Sequence, residues 1–505
     1  MRQNKFWIIF LACVYFIPIA HTQNTGHTLQ MQVEVSQTLK TSFQPSGRLF
    51  IFLSTDLKSE PRNTSGTDDD GWIFAVNIPH WDLRRPLIVN DHFKLQTTAE
   101  WNLQNIPAGS YVIQVLWDHD SLESRINVPG NLYSKPQVIT IHPSTTVRAE
   151  LTEQIPAREI IAHPLVKTFS IQSKILSAWW KKPVQLKTSI LLPAGYATQP
   201  TKSFPVRYNI AGYGGRYTRV NNLVRDSAFM SWWQSPAAPQ IITIFLDGEG
   251  PFGDSYQVNS ANQGPYGDAL INELIPALEQ TFRINPEQRY VDGCSTGGWV
   301  SLALQLFYPD VFQGCWSYSP DPVDFHHMQL INIYEDSSAF SHNQEFKRPS
   351  MRNTLGQPLF SIQQEVLSEN VQGRTGTYIT SGQQWGSWNA VYSPRGVNGL
   401  PLALFHPTTG VINKTTAQSW KNYDLLNYCR ENWASLGPKI AGKIYIWMGD
   451  MDHFYLNNAL RSFKKFIDTT SAPVSDAVIE FTPMAGHCAE YNHRTVLEKI
   501  QQRGH

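Results

Sequence analysis

The feature that most constrains the fold is the pentapeptide Gly293-Cys294-Ser295-Thr296-Gly297. It lies between a short apolar stretch ending at Val291 and an apolar run from Trp299 to Leu306. G-x-S-x-G between a strand and a helix is the sequence form of a nucleophile elbow, a sharp turn that exposes the serine hydroxyl. The helix that begins there directs backbone N–H groups toward a developing negative charge. The motif therefore predicts a catalytic Ser295, and the structural alternative is a glycine-rich turn with a buried serine.

An acid and a histidine follow Ser295 in the chain order used by α/β-hydrolases. The apolar segment 443–448 predicts a late strand, and Asp450 and Asp452 come directly after it. Asp452 lies three residues beyond Gly449, where a loop can reach a histidine, so it is the favoured acid and Asp450 the alternative. Near the C-terminus, His487 is the expected base, and the acid would fix its tautomer and orientation.

Two other histidines are weaker candidates for the base. His453 adjoins the acidic loop and is badly placed for that acid to bridge it, and His493 lies in a predicted helix. We therefore expect His487 to act on Ser295, which requires the two side chains to come within hydrogen-bond reach.

An oxyanion-binding site needs two N–H donors. One is expected from the backbone of Thr296, the residue after the nucleophile. The second is expected from Tyr213, in the glycine-rich segment 209–215 that follows a predicted early strand. Glycines let a backbone approach the substrate closely, although the same segment could be an ordinary tight turn.

Cysteines flank both ends of the proposed triad. Cys294 precedes Ser295 and Cys488 follows His487. If His487 is the base, the two cysteines are brought near each other, and we expect a disulfide between them. Of the four cysteines that follow the N-terminal segment, Cys315 and Cys429 remain as a second pair. The alternative to the first bridge is that Cys294 is only a small residue in the turn and Cys488 a buried thiol.

Residues 1–23 read as a secretory signal peptide. Arg2 and Lys5 form the charged start, and an apolar core runs from Phe6 to Ala20. We therefore expect a secreted or periplasmic protein in an oxidising compartment. No later segment approaches the ~20 apolar residues that a membrane span needs. Lys+Arg and Asp+Glu both total 41, and this balance gives no reason to expect nucleic acid as a partner.

The pattern of short elements divides the remaining chain in two. Residues 24–155 alternate like strands separated by turns, which predicts an all-β sandwich. Residues 156–505 alternate strands with helices, which predicts an α/β-hydrolase domain with a mostly parallel sheet. A long aromatic insertion at about 325–440 interrupts this rhythm. Trp385 and Trp388 within it could line a substrate pocket, with core packing as the alternative.

The α/β part resembles the Putative esterase family of α/β-hydrolases, which includes esterase D and the enterochelin esterases. The resemblance runs from about residue 160 to residue 500 and rests on these segments: Phe204-Pro205-Val206, Tyr266-Gly267-Asp268, Glu273-Leu274-Ile275-Pro276, the serine motif continued to Gly298, Gly449-Asp450-Met451-Asp452 and Gly486-His487. It implies ester hydrolysis with Ser295 as nucleophile, Asp452 as acid and His487 as base.

A second, narrower resemblance concerns the order Cys-Ser, Asp and His-Cys. It is similar to the arrangement in tannases and fungal feruloyl esterases, where the two cysteines are bridged, and it is not general in the esterase D group. Together the resemblances imply a small-molecule or glycan-linked ester as the substrate. The esterase chemistry needs no cofactor, and the absence of a Cys/His pair with zinc spacing predicts no metal.

Three other activities fit the same residues. An acyltransferase would share every catalytic group and differ only in the acceptor. A peptidase is possible because the fold hosts both chemistries. A non-catalytic binding protein would keep the fold without a working triad, and here all the triad candidates are present.

Overall fold

A computed structural model describes residues 26–67, 70–90, 92–343 and 345–503. The predicted signal peptide, residues 1–23, lies outside the described residues. No helix in the described ranges is long and apolar enough to cross a membrane.

The N-terminal part of the chain is all-β. Its nine strands form one hydrogen-bonded sheet, where the sequence suggested a sandwich of separate sheets. They are Thr28–Val35, Gly47–Ser54, Gly71–Ile78, Leu87–Val89, Gln96–Thr97, Gly109–Asp118, Leu132–Ser134, Gln137–Ile141 and Ser144–Gln154. Met31 and Leu151 from one end of this sheet share a buried core with Ile51 and Val115 from the other. The sheet therefore curls over on itself, so that strands far apart in the pairing order enclose one apolar interior.

The second sheet carries the serine motif. In spatial order its eight strands are Val166–Gln172, Gln185–Leu191, Ile242–Leu246, Phe204–Ile210, Ile284–Cys294, Gly314–Tyr318, Ile444–Gly449 and Val478–Thr482. The first two pairs in this order are antiparallel, so Gln185–Leu191 runs opposite to both of its neighbours, and the remaining five pairs are parallel. The central strands are buried along their length because helices cover both faces, as expected for a parallel sheet.

The connections between these strands are mainly helical. The helices are Lys174–Trp180, Val220–Arg225, Ser227–Trp233, Tyr266–Ala269, Leu270–Leu274 (a π turn), Ile275–Thr281, Thr296–Phe307, Ile362–Gln372, Gln384–Tyr392, Lys414–Ser419, Leu425–Ile440, Asn457–Asp468 and His493–Arg503. Short 3₁₀ turns lie at Pro61–Asn63, Ala194–Tyr196, Tyr217–Arg219, Phe325–His327, Tyr378–Thr380 and Trp420–Tyr423. Four small hairpins pair Glu249–Gly250 with Gly253–Asp254, Asn259–Ser260 with Gly264–Pro265, Ser341–His342 with Phe346–Lys347, and Pro349–Arg352 with Pro358–Ser361.

A buried ion pair joins the two strands that lead to the site. Arg207 donates to both carboxylate oxygens of Asp292, at 2.7 and 2.6 Å, and both side chains are fully buried. The phenol of Tyr491 also donates to Asp292, at 3.0 Å, and accepts from Asn209 at 2.7 Å. These contacts tie the glycine-rich loop, the serine strand and the C-terminal segment together just below the carboxyl ends of the strands.

The insertion connects the two parts of the molecule. Its helix Ile362–Gln372 begins with a capping box formed by Ser361 and Gln364. Val371 from this helix packs into an apolar cluster with Phe50 of the N-terminal sheet, and the guanidinium of Arg48 donates to the Val371 carbonyl at 2.8 Å. The insertion therefore lies between the N-terminal sheet and the hydrolase sheet.

Candidate active site

Ser295 occupies a strained turn between a strand and a helix. The strand ends at Cys294, and the helix begins at Thr296. Ser295 has φ 61° and ψ −125°, a left-handed conformation that a serine rarely adopts. The turn is tight enough that a Cβ on Gly293 would lie 2.5 Å from the Gly297 carbonyl carbon. Gly293 is therefore required by the close approach of the two backbones, and the elbow predicted from the motif is present.

Asp452 and His487 form a hydrogen-bonded pair, and His487 lines the cavity that also contains Ser295. His487 Nδ1 lies 2.6 Å from Asp452 Oδ2, and Asp452 is fully buried. The other carboxylate oxygen accepts from the backbone N–H groups of Phe454 and Leu456 at 2.9 and 3.2 Å. Since Nδ1 faces the acid, Nε2 is the ring nitrogen left for a substrate or for Ser295.

The charge around His487 favours its protonated form. Burial lowers the pKa of the imidazolium, but the charge and the hydrogen bond of Asp452 raise it, and Asp321 adds to this. The net direction is upward from the ordinary histidine value. The carboxylates therefore stabilise the imidazolium that a general base would form.

The competing acid and histidines have different surroundings, although His493 lines the same cavity as Ser295 and His487. Asp450 forms an ion pair with Arg461. It has no hydrogen bond to Ser295 or to any of the three candidate histidines. His493 lies at the start of the last helix, and burial with two nearby arginines lowers its pKa well below the usual value. The ring of His453 lies directly against Gly486, since a Cβ on that glycine would be 2.5 Å from His453 Nε2. The geometry brings Asp452, and not Asp450, to His487.

A disulfide joins the serine turn to the histidine loop. Cys294 and Cys488 are bonded, with their Cα atoms 6.1 Å apart. A second link comes from the Ser319 hydroxyl, which accepts from the Cys488 backbone N–H at 3.0 Å. The structure therefore contains the predicted bridge between the two sequence neighbours of the triad candidates.

The second predicted disulfide was wrong. Cys315 and Cys429 are both free and buried. Cys315 lies on the central strand Gly314–Tyr318 with its thiol against the Ser301 hydroxyl, and Cys429 lies on the helix Leu425–Ile440. Burial raises the pKa of both thiols, so each behaves as a small apolar core residue.

The expected oxyanion donors lie on both sides of Ser295. Thr296 is the first residue of the helix, where N–H groups have no intrahelical acceptor. The glycine-rich loop passes directly beside the serine, since a Cβ on Gly212 would lie 3.7 Å from the Ser295 Cβ. Tyr213 lines the cavity, with its hydroxyl bonded to Gln383.

The two tryptophans of the insertion have different positions. Trp388 is almost fully buried and lines the cavity. Trp385 is fully buried, donates its indole N–H to Glu365 at 3.1 Å and packs edge-on against Trp388. The expectation that Trp385 lines the pocket is therefore not met, because its side of the helix faces the core of the insertion.

Sequence reasoning missed a second acid beside Ser295. Asp321 lies in the loop after the strand Gly314–Tyr318, and its Oδ1 accepts from the Ser295 hydroxyl at 3.5 Å. No motif marks it. The available signal was its position between Pro320 and Pro322, directly beyond the strand next to the serine strand, since ligands of open α/β sheets bind at carboxyl ends of strands.

Two cavities meet at the site. The catalytic cavity has a volume of about 610 Å³ and includes Ser295 and His487 in its wall. A more polar cleft of about 730 Å³ lies between the insertion and loops of the N-terminal part, including Arg62 and Asn127. Tyr213, Glu365 and Gln384 line both, so the catalytic cavity opens toward this cleft.

Among the described residues, one cluster has the residue types of a metal site. It comprises Asp324, His326 and Asp424, whose ligand atoms lie within 4.8 Å of one another. Asp324 caps the 3₁₀ turn Phe325–His327, and Asp424 caps the helix Leu425–Ile440. Both carboxylates therefore have structural roles that need no ion.

Comparisons with known proteins identify the family. Residues 183–495 match the family model described as Putative esterase. A search of curated protein sequences finds no match. The solved structures similar to this chain include a ferulic acid esterase, with 13% identity and a TM-score of 0.41 over 67% of this chain and 96% of that chain. An S-formylglutathione hydrolase from Agrobacterium tumefaciens has 12% identity and a TM-score of 0.39 over 67% of this chain and 94% of that chain.

A third similar structure is a ferulic acid esterase from Anaeromyces mucronatus, with 13% identity and a TM-score of 0.32 over 67% of this chain and 88% of that chain. The family match covers more than half of the chain and includes every residue of the proposed triad. The chain therefore belongs to the esterase family of α/β-hydrolases and is a carboxylic ester hydrolase.

Proposed function

We propose that the protein is a serine carboxylesterase that works through an acyl-enzyme on Ser295. The observation that carries this is that a strained serine at a helix start and His487 line one cavity, with His487 held at 2.6 Å by the buried Asp452. A nucleophile, a base and a group that orients the base are the parts that such catalysis requires.

In the first half-reaction, His487 Nε2 removes the proton from the Ser295 hydroxyl as its oxygen attacks the ester carbonyl carbon. The tetrahedral intermediate carries its negative charge on the former carbonyl oxygen. The backbone N–H groups of Thr296 and Tyr213 stabilise that charge, and the imidazolium gives its proton to the leaving alcohol. Asp452 holds the ring in the correct tautomer throughout.

In the second half-reaction, water replaces the alcohol. His487 takes a proton from the water, which attacks the acyl carbon, and the acid is released as the proton returns to Ser295. The disulfide between Cys294 and Cys488 keeps the turn and the histidine loop at a fixed separation during both steps. Neither half-reaction needs a cofactor.

The substrate class is a small-molecule or glycan-linked ester. A cavity of about 610 Å³ is within the range for a small-molecule site, and its opening toward a polar cleft gives room for a hydroxylated leaving group. The disulfide fits a secreted or periplasmic location, where such bridges persist.

Hydrolysis of p-nitrophenyl acetate by the purified protein tests the proposal. We expect turnover in the wild type and a loss of about 10⁴-fold or more in Ser295→Ala. The matched control is Ser301→Ala, because Ser301 lies on the same helix and bonds to the Gly298 carbonyl at 2.9 Å. Full activity of Ser295→Ala, with an unfolding curve like that of the wild type, would remove the nucleophile assignment.

The same assay separates hydrolysis from acyl transfer. We expect acetate to remain the main product when ethanol is added as an alternative acceptor. Ethyl acetate as the main product at low ethanol would instead identify an acyltransferase, and turnover of a peptide anilide with no ester turnover would identify a peptidase.

A further inference from the structure

Asp321 is a buried carboxylate beside the nucleophile, and the proposed mechanism gives it no role beyond its charge near His487. It is 2% exposed, and its backbone N–H donates to the Ser295 carbonyl at 3.3 Å. Its Oδ1 is 3.5 Å from Ser295 Oγ. It therefore lies within reach of any group attached near the acyl carbon that Ser295 would bind.

Several donors fix the other carboxylate oxygen. Oδ2 accepts from four side chains: the Tyr256 hydroxyl at 2.7 Å, the Thr296 hydroxyl at 3.0 Å, the Trp388 indole N–H at 3.0 Å and the Gln384 amide at 3.3 Å. Indole and amide N–H groups can only donate, so this oxygen must be an acceptor. The network sets the plane of the carboxylate and leaves Oδ1 directed at Ser295.

Within the described residues, Asp321 has no ion pair with a lysine or an arginine. Burial raises its pKa, while the hydrogen bonds from Tyr256, Trp388 and Thr296 oppose that rise. The contact of Oδ1 with Ser295 is at the long limit for an O–H···O bond. Moreover, that hydroxyl disappears when Ser295 is acylated, and a buried acceptor left without a donor costs free energy.

We propose that Asp321 Oδ1 accepts a hydrogen bond from a free hydroxyl group of the substrate close to the scissile ester, so that the enzyme selects hydroxylated esters. This inference rests on the proposed function of Ser295. A hydroxyl supplies one donor, and one donor is what Oδ1 lacks once Ser295 is acylated.

The distance from Ser295 limits where that hydroxyl can be. The acyl carbon will be bonded to Oγ, which is 3.5 Å from Oδ1, so the hydroxyl must lie within a few bonds of the ester. It can belong to the alcohol, as in a monoacylated diol or sugar, or to the acyl group, as in a 2-hydroxy acid. The chemistry at Asp321 is the same in both.

Matched pairs of esters distinguish these two sources. The alcohol side is tested with 2-hydroxyethyl acetate against propyl acetate, and the acyl side with ethyl hydroxyacetate against ethyl propanoate. For the pair that has the correct side, we expect the wild type to prefer the hydroxylated ester in kcat/KM by about tenfold to a hundredfold, as for a hydrogen bond to a charged acceptor.

The variant Asp321→Asn tests the residue. Its amide oxygen can keep the donors at Oδ2, while its amide nitrogen replaces the charged acceptor at Oδ1 by a neutral donor, to which a substrate hydroxyl binds more weakly. We expect the preference for the hydroxylated ester to fall to within a factor of about three, measured as the ratio of kcat/KM values within one variant. The acid limb of the kcat/KM profile should also move to lower pH, since the Asp321 charge contributes to the raised pKa of His487.

Asp324→Asn is the matched control. Asp324 is a buried acid three residues away that caps the turn Phe325–His327, and asparagine caps equally well. We expect it to keep the hydroxyl preference of the wild type. If Asp321→Asn does not fold, Trp388→Phe replaces it. That variant removes a donor to Oδ2, and it should reduce the preference several-fold.

Equal turnover within both ester pairs by the wild type would overturn the proposal, and this comparison needs no variant. A wild-type preference that survives in Asp321→Asn, or in the replacement variant, would overturn it as well. A wild type that does not hydrolyse p-nitrophenyl acetate would contradict the proposed function itself, which separates the two failures.

Discussion

Removing the disulfide between Cys294 and Cys488 should destabilise the protein and slow its catalysis. The bridge joins residues 194 positions apart. In the chain-entropy model, closing a loop of this length stabilises the folded state by about 5 kcal/mol, chiefly by restricting the unfolded chain. We expect the double variant Cys294→Ala/Cys488→Ala to lose several kcal/mol of unfolding free energy. Both cysteines are replaced because a single variant would leave a free thiol beside the nucleophile.

Urea unfolding without reductant gives the stability, and p-nitrophenyl acetate turnover gives the activity. We expect the wild type with dithiothreitol to approach the double variant in both. We also expect kcat to fall, since the bridge and the bond from Cys488 to Ser319 hold the His487 loop beside the serine turn.

Cys315→Ala is the control, because Cys315 is free and buried. It should lose about 1 kcal/mol for the buried atom removed and should keep the full response to dithiothreitol. A double variant within about 1 kcal/mol of the wild type, or a wild type that ignores the reductant, would refute the reasoning about loop closure.

Three further predictions concern charged groups. Asp292→Asn should lower the free energy of unfolding in urea by about 3–5 kcal/mol, because it leaves Arg207 buried without its partner; a loss below 1 kcal/mol would contradict this. The acid limb of kcat/KM should have its midpoint above about 6.5, the ordinary histidine value, since His487 must be neutral to act and Asp452 raises its pKa; a midpoint below that value would count against His487 as the base. Asp452→Asn should lower kcat by about 10⁴-fold, whereas Asp450→Asn should stay within a few fold of the wild type; equal losses would undo the choice between the two acids.

The parts of the site that the sequence predicts are those encoded by short segments. The serine motif lies within five residues, and the turn has the strained backbone that the motif requires. The acid loop follows its strand directly, so Asp452 could be preferred to Asp450 from spacing alone. The disulfide between Cys294 and Cys488 could be predicted from one assumption, that His487 acts on Ser295. That contact brings the two neighbouring cysteines close together.

The parts that could not be predicted depend on contacts between distant segments. Whether Cys315 can bond to Cys429 depends on which face of the strand and which face of the helix lie toward each other. The number and spacing of cysteines do not give this orientation. In the N-terminal part, short alternating strands indicate an all-β region. They do not indicate which strands pair, so the single curled sheet could not be distinguished from two sheets.

Asp321 shows why a buried polar group can reveal more than a motif. A carboxylate without a lysine or arginine partner is costly to bury. Here the donors from Tyr256, Thr296, Gln384 and Trp388 all bond to one of its oxygens, and the other has only the long contact with Ser295. Those donors come from three separate parts of the chain, so no local sequence pattern predicts that they meet at Asp321. If the fold only needed a packed loop beside Ser295, burying an apolar residue at this position would cost less free energy. The arrangement is consistent with a site in which the substrate supplies the missing donor, and the hydroxylated ester pairs test that directly.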